Sequence, residues 1–207
     1  HPLVDAIAVG GEYGGGKAQI LDRIGLLFVG RQDQLREPGD YFSGTFMGWP
    51  YVVVLDDGNV PRAFYNVCSH HGTCVASGEG TTEQFVCPYH GWTYDQAGRL
   101  LTTTFDEHFP VGTDFSQLNL VPAPRVEIYK GLIFGCWDAE TIDLEHYLGD
   151  IRWYLDALFW RTPGGMEVLA PPHRWRVRAN WKVGALNFIG DSQHVRTTHA
   201  GPVALDA

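Results

Sequence analysis

The sequence is poor in basic residues and has no cluster of them. Its fifteen cationic side chains comprise three lysines and twelve scattered arginines, and the formal net charge is −9. Proteins that bind nucleic acids present a basic patch to the phosphates, so this composition argues against a nucleic-acid partner.

Long apolar runs are also missing, as is a signal-peptide pattern. A transmembrane helix needs about 20 consecutive apolar residues, whereas the strongly apolar run at residues 51–55 is far shorter. We therefore predict no membrane partner. The 207 residues, of which 44% are hydrophobic, are enough to bury a core in one or two domains.

Cysteine and histidine are concentrated in residues 66–94, which contain two short arms. The first arm, N-V-C-S-H-H-G-T-C, places Cys68 and His70 in a C-x-H pair. The second arm, F-V-C-P-Y-H-G-W-T-Y, places Cys87 and His90 in a C-x-x-H pair. Two Cys/His pairs on separate arms, each followed by glycine, indicate two loops that close on one metal centre.

Three arrangements account for these arms: a zinc site, a Rieske [2Fe–2S] centre, or core residues that bind no metal. In the common zinc spacing both cysteines come first and both histidines last. In a Rieske centre the two cysteines hold one iron and the two histidines hold the other, so each loop must reach both irons. The mixed arms favour this arrangement. The stretch resembles the Rieske motif C-x-H…C-x-x-H, including Pro88, Gly91 and Trp92 around the second arm.

A Rieske centre predicts one-electron transfer rather than oxygen activation. Two ferric ions, two sulfides, two thiolates and two neutral imidazoles sum to zero charge, whereas a cluster with four thiolates starts at minus two. The Rieske cluster therefore accepts an electron more easily than a cluster with four thiolates, and its reduction potential is roughly −150 to +300 mV.

The remaining cysteines do not suggest a disulfide framework. With Cys68 and Cys87 assigned to iron, only Cys74 and Cys136 remain, and Cys136 lies in the apolar run G-L-I-F-G-C-W, where a buried thiol is ordinary. This usage fits a reducing cytoplasm better than a secreted protein.

The chain changes character near residue 142. Before it, short apolar strands alternate with turn residues, which predicts an all-β domain over residues 26–142 with the two arms as loops. After it, apolar residues recur at helical spacing over 144–159, and residues 174–178 alternate as in a strand. We therefore predict an α+β protein with an N-terminal segment (1–25), the all-β domain, and the start of an α+β domain (143–207).

A second group of polar residues lies between residues 179 and 200. In a helix that starts near residue 181, Asn187, Asp191 and His194 share one face. His199 would lie about 140° from His194 at ~100° per residue. Convergence of the two histidines therefore requires that the helix end near Val195 or contain a π-bulge.

The two histidines are either ordinary histidines or ligands of a second iron. The upstream relay favours iron, because transferred electrons need a terminal acceptor. Imidazole suits iron, and two histidines with one carboxylate leave open positions for oxygen and substrate.

These motifs resemble the large (α) subunits of Rieske non-haem iron aromatic-ring-hydroxylating dioxygenases. The resemblance is carried by N-W-K at 180–182, the following N-F-I-G-D-x-x-H-x-x-x-x-H, G-L-I-F-G at 131–135 and Y-L-G-D at 147–150. It implies that residues 26–142 form the Rieske [2Fe–2S] domain. It also implies that residues 143–207 begin a helix-grip-like catalytic domain, with residues 1–25 packed on it.

The resemblance also implies roles for the second group. His194 and His199 become ligands of a mononuclear non-haem Fe(II), and Asn187 lies beside this iron. Asp191 links the Rieske histidine of a neighbouring subunit to an iron-ligating histidine, since an aspartate fixes the orientation of an imidazole and raises its basicity.

The expected activity is cis-dihydroxylation of an aromatic hydrocarbon with O2, polycyclic hydrocarbons included. Electrons from NAD(P)H arrive through a reductase and often a ferredoxin, and the α subunits form a trimer that can carry small β subunits. A monooxygenase or demethylase of the same superfamily, a Rieske ferredoxin and a zinc-binding interaction module are the alternatives.

Three positions depart from the family pattern. His71 replaces an arginine that often follows the first ligand histidine, and Leu186 replaces a glutamate that often precedes the asparagine. The family's third iron ligand is an aspartate downstream of residue 207, and Asp206 does not match it. We therefore expect the chain to be a fragment of a subunit about twice as long.

Overall fold

The computed structural model describes residues 25–46, 48–170, 173, 176–180, 182–189 and 192–201. The chain divides into two compact units between Val168 and Leu169. The predicted N-terminal segment lies, apart from Gly25, outside the described residues. The predicted division of the chain at residue 142 stays a prediction.

The first unit is built from short antiparallel strands. In chain order they are β1 (Leu27–Arg31), β2 (Asp40–Phe46), β3 (Trp49–Leu55), β4 (Pro61–Tyr65), β5 (Glu79–Thr81), β6 (Gln84–Val86), β7 (Thr93–Asp95), β8 (Leu100–Thr102), β9 (Arg125–Tyr129) and β10 (Leu132–Cys136). They form three sheets in the orders β1–β10–β9, β4–β3–β2–β5 and β6–β7–β8. The mostly β domain with few helices confirms the predicted fold class.

Strand β3 lies between two parts of the hydrophobic core. Successive side chains of a strand point to opposite faces, so Val52 and Val54 enter the core beneath the two Cys/His arms. Val53 and Leu55 enter a second core against β1 and β10. This explains why the strand is a continuous apolar run, the pattern expected of a strand buried on both faces.

The turn between β3 and β4 is held by Asp56. Its carboxylate accepts the backbone N–H groups of Gly58 and Val60, at 2.9 and 2.8 Å, and pairs with Arg62 at 2.6 Å. Burial alone would raise the pKa of Asp56, but the Val60 amide and the Arg62 guanidinium outweigh it and hold that pKa below its usual value. The ionised carboxylate therefore stabilises the turn.

Two helices follow the strands where the sequence predicted one. Helix α1 covers Leu144–Leu148 and helix α2 covers Ile151–Phe159. They are separated at Gly149, whose φ of 51° is left-handed and interrupts helical geometry. Leu144, Leu148, Leu155 and Phe159 pack with the apolar side chains of β10, so these helices belong to the first compact unit.

The second unit contains helices α3 (Lys182–Ile189) and α4 (Ser192–Thr198). Residues 176–178 form no strand and are exposed, so the predicted strand at 174–178 is wrong over the residues that the structure describes. Alternation alone does not make a strand stable when no neighbour supplies its hydrogen bonds.

Two predictions about composition can be compared with the described residues. None of their helices is long and apolar enough to cross a membrane. The four cysteines all lie in the described residues and form no disulfide; Cys68, Cys87 and Cys136 are buried whereas Cys74 is exposed.

Candidate metal centres

The first arm forms a tight loop over residues 68–73. The Cys68 N–H donates to the Thr73 carbonyl at 2.8 Å, and the Gly72 N–H donates back to the Cys68 carbonyl at 2.8 Å. Gly72 has φ of 75°, a left-handed conformation that L side chains rarely adopt. The glycine therefore lets the chain reverse immediately after the histidines.

The second arm, residues 87–92, repeats this bonding. The Cys87 N–H donates to the Trp92 carbonyl at 2.8 Å, and the Gly91 N–H donates to the Cys87 carbonyl at 2.9 Å. Gly91 has φ of 72°. The sequence prediction that two loops come together is confirmed, and the loops match in their backbone as well as in their Cys/His content.

In each loop the cysteine is buried and the histidine lies nearer the surface. Cys68 and Cys87 are 1% and 3% exposed and belong to one core cluster, whereas His70 is half-buried and His90 is exposed. The two imidazole rings lie 4.7 Å apart between centroids. Two thiols inside and two imidazoles outside form the arrangement that holds two different irons in a Rieske centre.

His70 has an unsatisfied nitrogen that fits a metal. Its Nδ1 is buried and has no hydrogen-bond partner among the described residues, an arrangement that normally costs free energy. Trp92 stacks on the ring at 4.7 Å and 5° and fixes its plane. Burial, followed by the neighbouring His71 and His90, lowers the pKa of His70. The ring therefore stays neutral, the state in which imidazole binds metals.

Tyr94, the last residue of the second arm's motif, contacts the cysteine of the first arm. Its side chain is fully buried, and its hydroxyl lies 3.2 Å from Cys68 Sγ and accepts the Ser69 N–H at 3.1 Å. Burial, with the adjacent Cys68 thiol, raises the pKa of Tyr94. The phenol thus stays protonated and can donate to a thiolate. The sequence offers no signal for this contact, because Cys68 and Tyr94 are 26 positions apart.

Asn66 also supports the site, although the sequence analysis assigned it no function. Its buried side chain accepts the N–H groups of Val75 and Ala76, at 2.8 and 3.0 Å, and donates to the Ala76 carbonyl at 2.8 Å. These bonds tie the start of the first loop to the chain that leaves it. A single asparagine carries too little pattern for sequence analysis to find this.

His71 and Tyr89 complete the outer surface of the loops. The His71 ring lies 3.8 Å from that of His70, and the Tyr89 ring stacks on His90 at 3.8 Å and 28°. The His90 carbonyl also accepts the Thr104 hydroxyl. Ring nitrogens of His70, His71 and His90 all lie within 4.8 Å of one another.

The second predicted site lies in the second compact unit. His194 Nε2 and His199 Nε2 are 3.1 Å apart, because α4 ends at Thr198 and the following turn places His199 beside His194. With metal–imidazole bonds of ~2.1 Å, this separation allows both nitrogens to bind one ion at an angle near 95°. Asn187 is half-buried on α3, and Asp191 lies outside the described residues.

Comparisons with known proteins agree on one group. Residues 25–111 match the Rieske [2Fe-2S] domain family. The large oxygenase component of a naphthalene 1,2-dioxygenase system from Ralstonia sp is 42% identical over 178 residues, which are 84% of this chain and 39% of that protein. The benzene 1,2-dioxygenase α subunit of Pseudomonas putida is 40% identical over 174 residues, which are 83% of this chain and 38% of that protein.

A solved structure has the same fold. Naphthalene 1,2-dioxygenase from Rhodococcus sp., bound to indole, superposes with a TM-score of 0.80 at 34% identity. The match covers 99% of this chain and 49% of that one. The chain thus spans about two-fifths of the length of the curated relatives it matches.

Proposed function

Because the chain belongs to the Rieske ring-hydroxylating dioxygenase large subunits, whose N-terminal portion it matches, we propose that it carries the electron relay of such an oxygenase. The proposed ligands of the [2Fe–2S] cluster are Cys68, His70, Cys87 and His90. We propose that residues 26–142 form the Rieske domain and residues 143–207 begin the catalytic domain.

The observation that carries this proposal is the buried Nδ1 of His70, which has no hydrogen-bond partner among the described residues and lies in one of two loops with matching backbones. A structural histidine in a core normally has a partner for each buried nitrogen. A metal ligand leaves its nitrogen free of hydrogen bonds, and the two buried thiols below it are the other ligands that a Rieske cluster needs.

The chain's own residues prepare this site for electron transfer. When bound, the cluster supplies one-electron transfer, and a mononuclear iron supplies dioxygen activation. Tyr94 would donate to the Cys68 sulfur once that sulfur is a metal-bound thiolate. Trp92 holds the His70 ring, and exposed His90 provides a short path from the loops to another protein. Burial of both cysteines keeps water from their sulfurs.

Electron paramagnetic resonance tests the cluster ligands. We expect iron-replete, dithionite-reduced protein to give a Rieske signal, and Cys87→Ser to lose it while circular dichroism shows that the strands persist. Cys74→Ser is the matched control and should keep the signal, because Cys74 is exposed and outside the proposed set. The absence of a signal from the iron-replete wild type would refute the proposal.

His194 and His199 are proposed as two ligands of the mononuclear iron, with Asn187 beside it. Their nitrogen separation of 3.1 Å supports this role. In the full-length protein, His194→Ala should remove this iron and abolish turnover, yet leave the Rieske signal unchanged. Gln193→Ala, on the exposed side of the same helix, should retain both. Full iron content in His194→Ala would contradict the assignment.

For the whole protein we propose cis-dihydroxylation of an aromatic hydrocarbon with O2, because the relatives are named for naphthalene and benzene. Electrons would come from NAD(P)H through a reductase or ferredoxin, consistent with relatives that are components of dioxygenase systems. Cysteines that form no disulfide among the described residues fit a proposed cytoplasmic location. A trimer of α subunits, with or without β subunits, would place each cluster beside the iron of a neighbour.

Asp191 is the proposed link between the two metals. In the full-length protein, Asp191→Asn should keep both metals and stop product formation, because an amide cannot orient an imidazole as a carboxylate does. Metal analysis measures the iron content, the Rieske signal reports the cluster, and product assays measure turnover. Loss of the cluster in this variant would mean that Asp191 is structural.

A further inference from the structure

We propose that, in protein without the cluster, His70, His71 and His90 bind one divalent transition-metal ion such as Zn²⁺, Ni²⁺ or Co²⁺. A ring nitrogen of each histidine lies within 4.8 Å of the others. Three imidazoles are a known ligand set for zinc, and imidazole also binds nickel and copper. The inference rests on the proposed cluster site, since His70 and His90 would hold either the cluster or the single ion.

A small movement completes this three-histidine site. Two nitrogens on one ion, with bonds of ~2.1 Å, can be at most about 4.2 Å apart, and the three ring nitrogens here all lie within 4.8 Å of one another. His71 is exposed, and its ring is already 3.8 Å from the His70 ring. Rotation of an exposed imidazole can supply so small a shift without moving the loops.

The other two histidines are held ready to bind. Trp92 stacks on His70, and Tyr89 stacks on His90. Less side-chain entropy is lost on binding when the ligands are already fixed. Two imidazoles held by stacking and a third imidazole at the surface give a site that an ion can enter from solvent.

The third ligand comes from a residue in which this chain departs from its family. An arginine often stands at the position of His71, and a guanidinium keeps its protons and cannot ligate a metal. The three-histidine site is thus a property of chains with histidine here. It makes cluster assembly in this protein sensitive to competing ions.

An alternative single-ion site uses both cysteines with His70 and His90. Cys68 and Cys87 are 1% and 3% exposed, whereas His71 and His90 lie at the surface. A hydrated ion arriving from solvent therefore meets the imidazoles first. Thiolate ligands and imidazole ligands give different spectra with Co²⁺, so the two sites can be told apart.

The test is a Co²⁺ and Zn²⁺ titration of the 207-residue chain, carrying His194→Ala in every sample so that the second histidine pair binds no ion. The cluster is first removed with chelator, and folding is checked by circular dichroism. We expect one ion per chain and no thiolate-to-cobalt charge-transfer band. His71→Arg should weaken binding at least 10–100-fold, since even the loss of a residue outside the ligand shell costs that much. His71→Ala should do the same, and His108→Arg, an exposed control outside the three histidines, should change nothing.

Unchanged affinity in both His71 variants, or a strong thiolate charge-transfer band, would overturn the inference. A parallel experiment measures the Rieske signal after reconstitution with iron and sulfide, with and without added Zn²⁺. We expect Zn²⁺ to slow reconstitution in wild type more than in His71→Arg. Failure of the wild type to form any cluster, with Co²⁺ binding intact, would refute the proposed function and not this site.

Discussion

Replacing Tyr94 with phenylalanine removes a single oxygen atom beside the proposed cluster. The hydroxyl lies 3.2 Å from Cys68 Sγ, and it accepts the Ser69 N–H at 3.1 Å. A cluster-bound thiolate has no proton, so Tyr94 must be the donor in that state. The phenylalanine ring keeps the packing of this fully buried side chain.

The expected change in reduction potential follows from the charge of the cluster. A hydrogen bond to a charged acceptor contributes about 1.5–3 kcal/mol, and it is stronger in the reduced state, which carries one more negative charge. If the two states differ by about 0.5–1.5 kcal/mol, losing the bond lowers the potential by roughly 20–65 mV, since 1.4 kcal/mol corresponds to 59 mV for one electron.

Folding stability should fall as well. In Tyr94→Phe the Ser69 N–H loses its acceptor in a partly buried position. An unsatisfied buried donor costs about 1–3 kcal/mol, which urea unfolding can measure.

A redox titration followed by the Rieske signal measures the potential of Tyr94→Phe against wild type. Tyr89→Phe is the matched control: it removes the same atom from an exposed ring that stacks on His90. A potential within about 10 mV of wild type, or above it, in Tyr94→Phe would refute the assignment of the hydroxyl as a donor to the cluster.

Three further substitutions test contacts that stabilise the first compact unit. Asn66→Ala leaves two buried N–H groups without an acceptor and should lower the free energy of unfolding by about 2–4 kcal/mol in urea; a loss under 1 kcal/mol would contradict this. Gly98→Ala brings a Cβ within 2.4 Å of the Phe64 ring at φ of 78° and should cost about 2–4 kcal/mol, whereas Gly112→Ala, also at positive φ but in open space, should cost less. Asp56 has a pKa below the usual 3.8, so its stabilisation is complete above that pH and is lost as pH falls through the lowered pKa. The stability difference between wild type and Asp56→Asn should therefore be constant above about pH 5 and shrink below about pH 4; a difference that grows in acid would show that the sign is wrong.

The proposed cluster ligands stand out in the sequence because their spacing is a local property of the chain. Cys68 with His70, and Cys87 with His90, stand in short patterns that few other centres share. Strand β3 contains the apolar run at residues 51–55 that the sequence shows. Strands β5, β7 and β8 have three residues each, which are too few to show a period.

Features that depend on distant parts of the chain were missed. Tyr94 reaches Cys68 across 26 positions, and no spacing rule encodes such a contact. The predicted single helix at 144–159 is two helices, because Gly149 adopts a left-handed conformation that apolar periodicity does not reveal. For His194 and His199 the sequence left two routes to convergence, a helix end near Val195 or a π-bulge. The structure shows a helix end, at Thr198, and the following turn brings His199 beside His194.

Strand β3 is paired on both edges, with β2 and β4, and buried on both faces. Its amide protons should therefore exchange with solvent only when the whole unit unfolds. The exchange rate at Val53 thus reports global stability, whereas the loop amides of Gly72 and Gly91 report local opening. Comparing the two would reveal whether cluster loss loosens only the loops or the entire β scaffold beneath them.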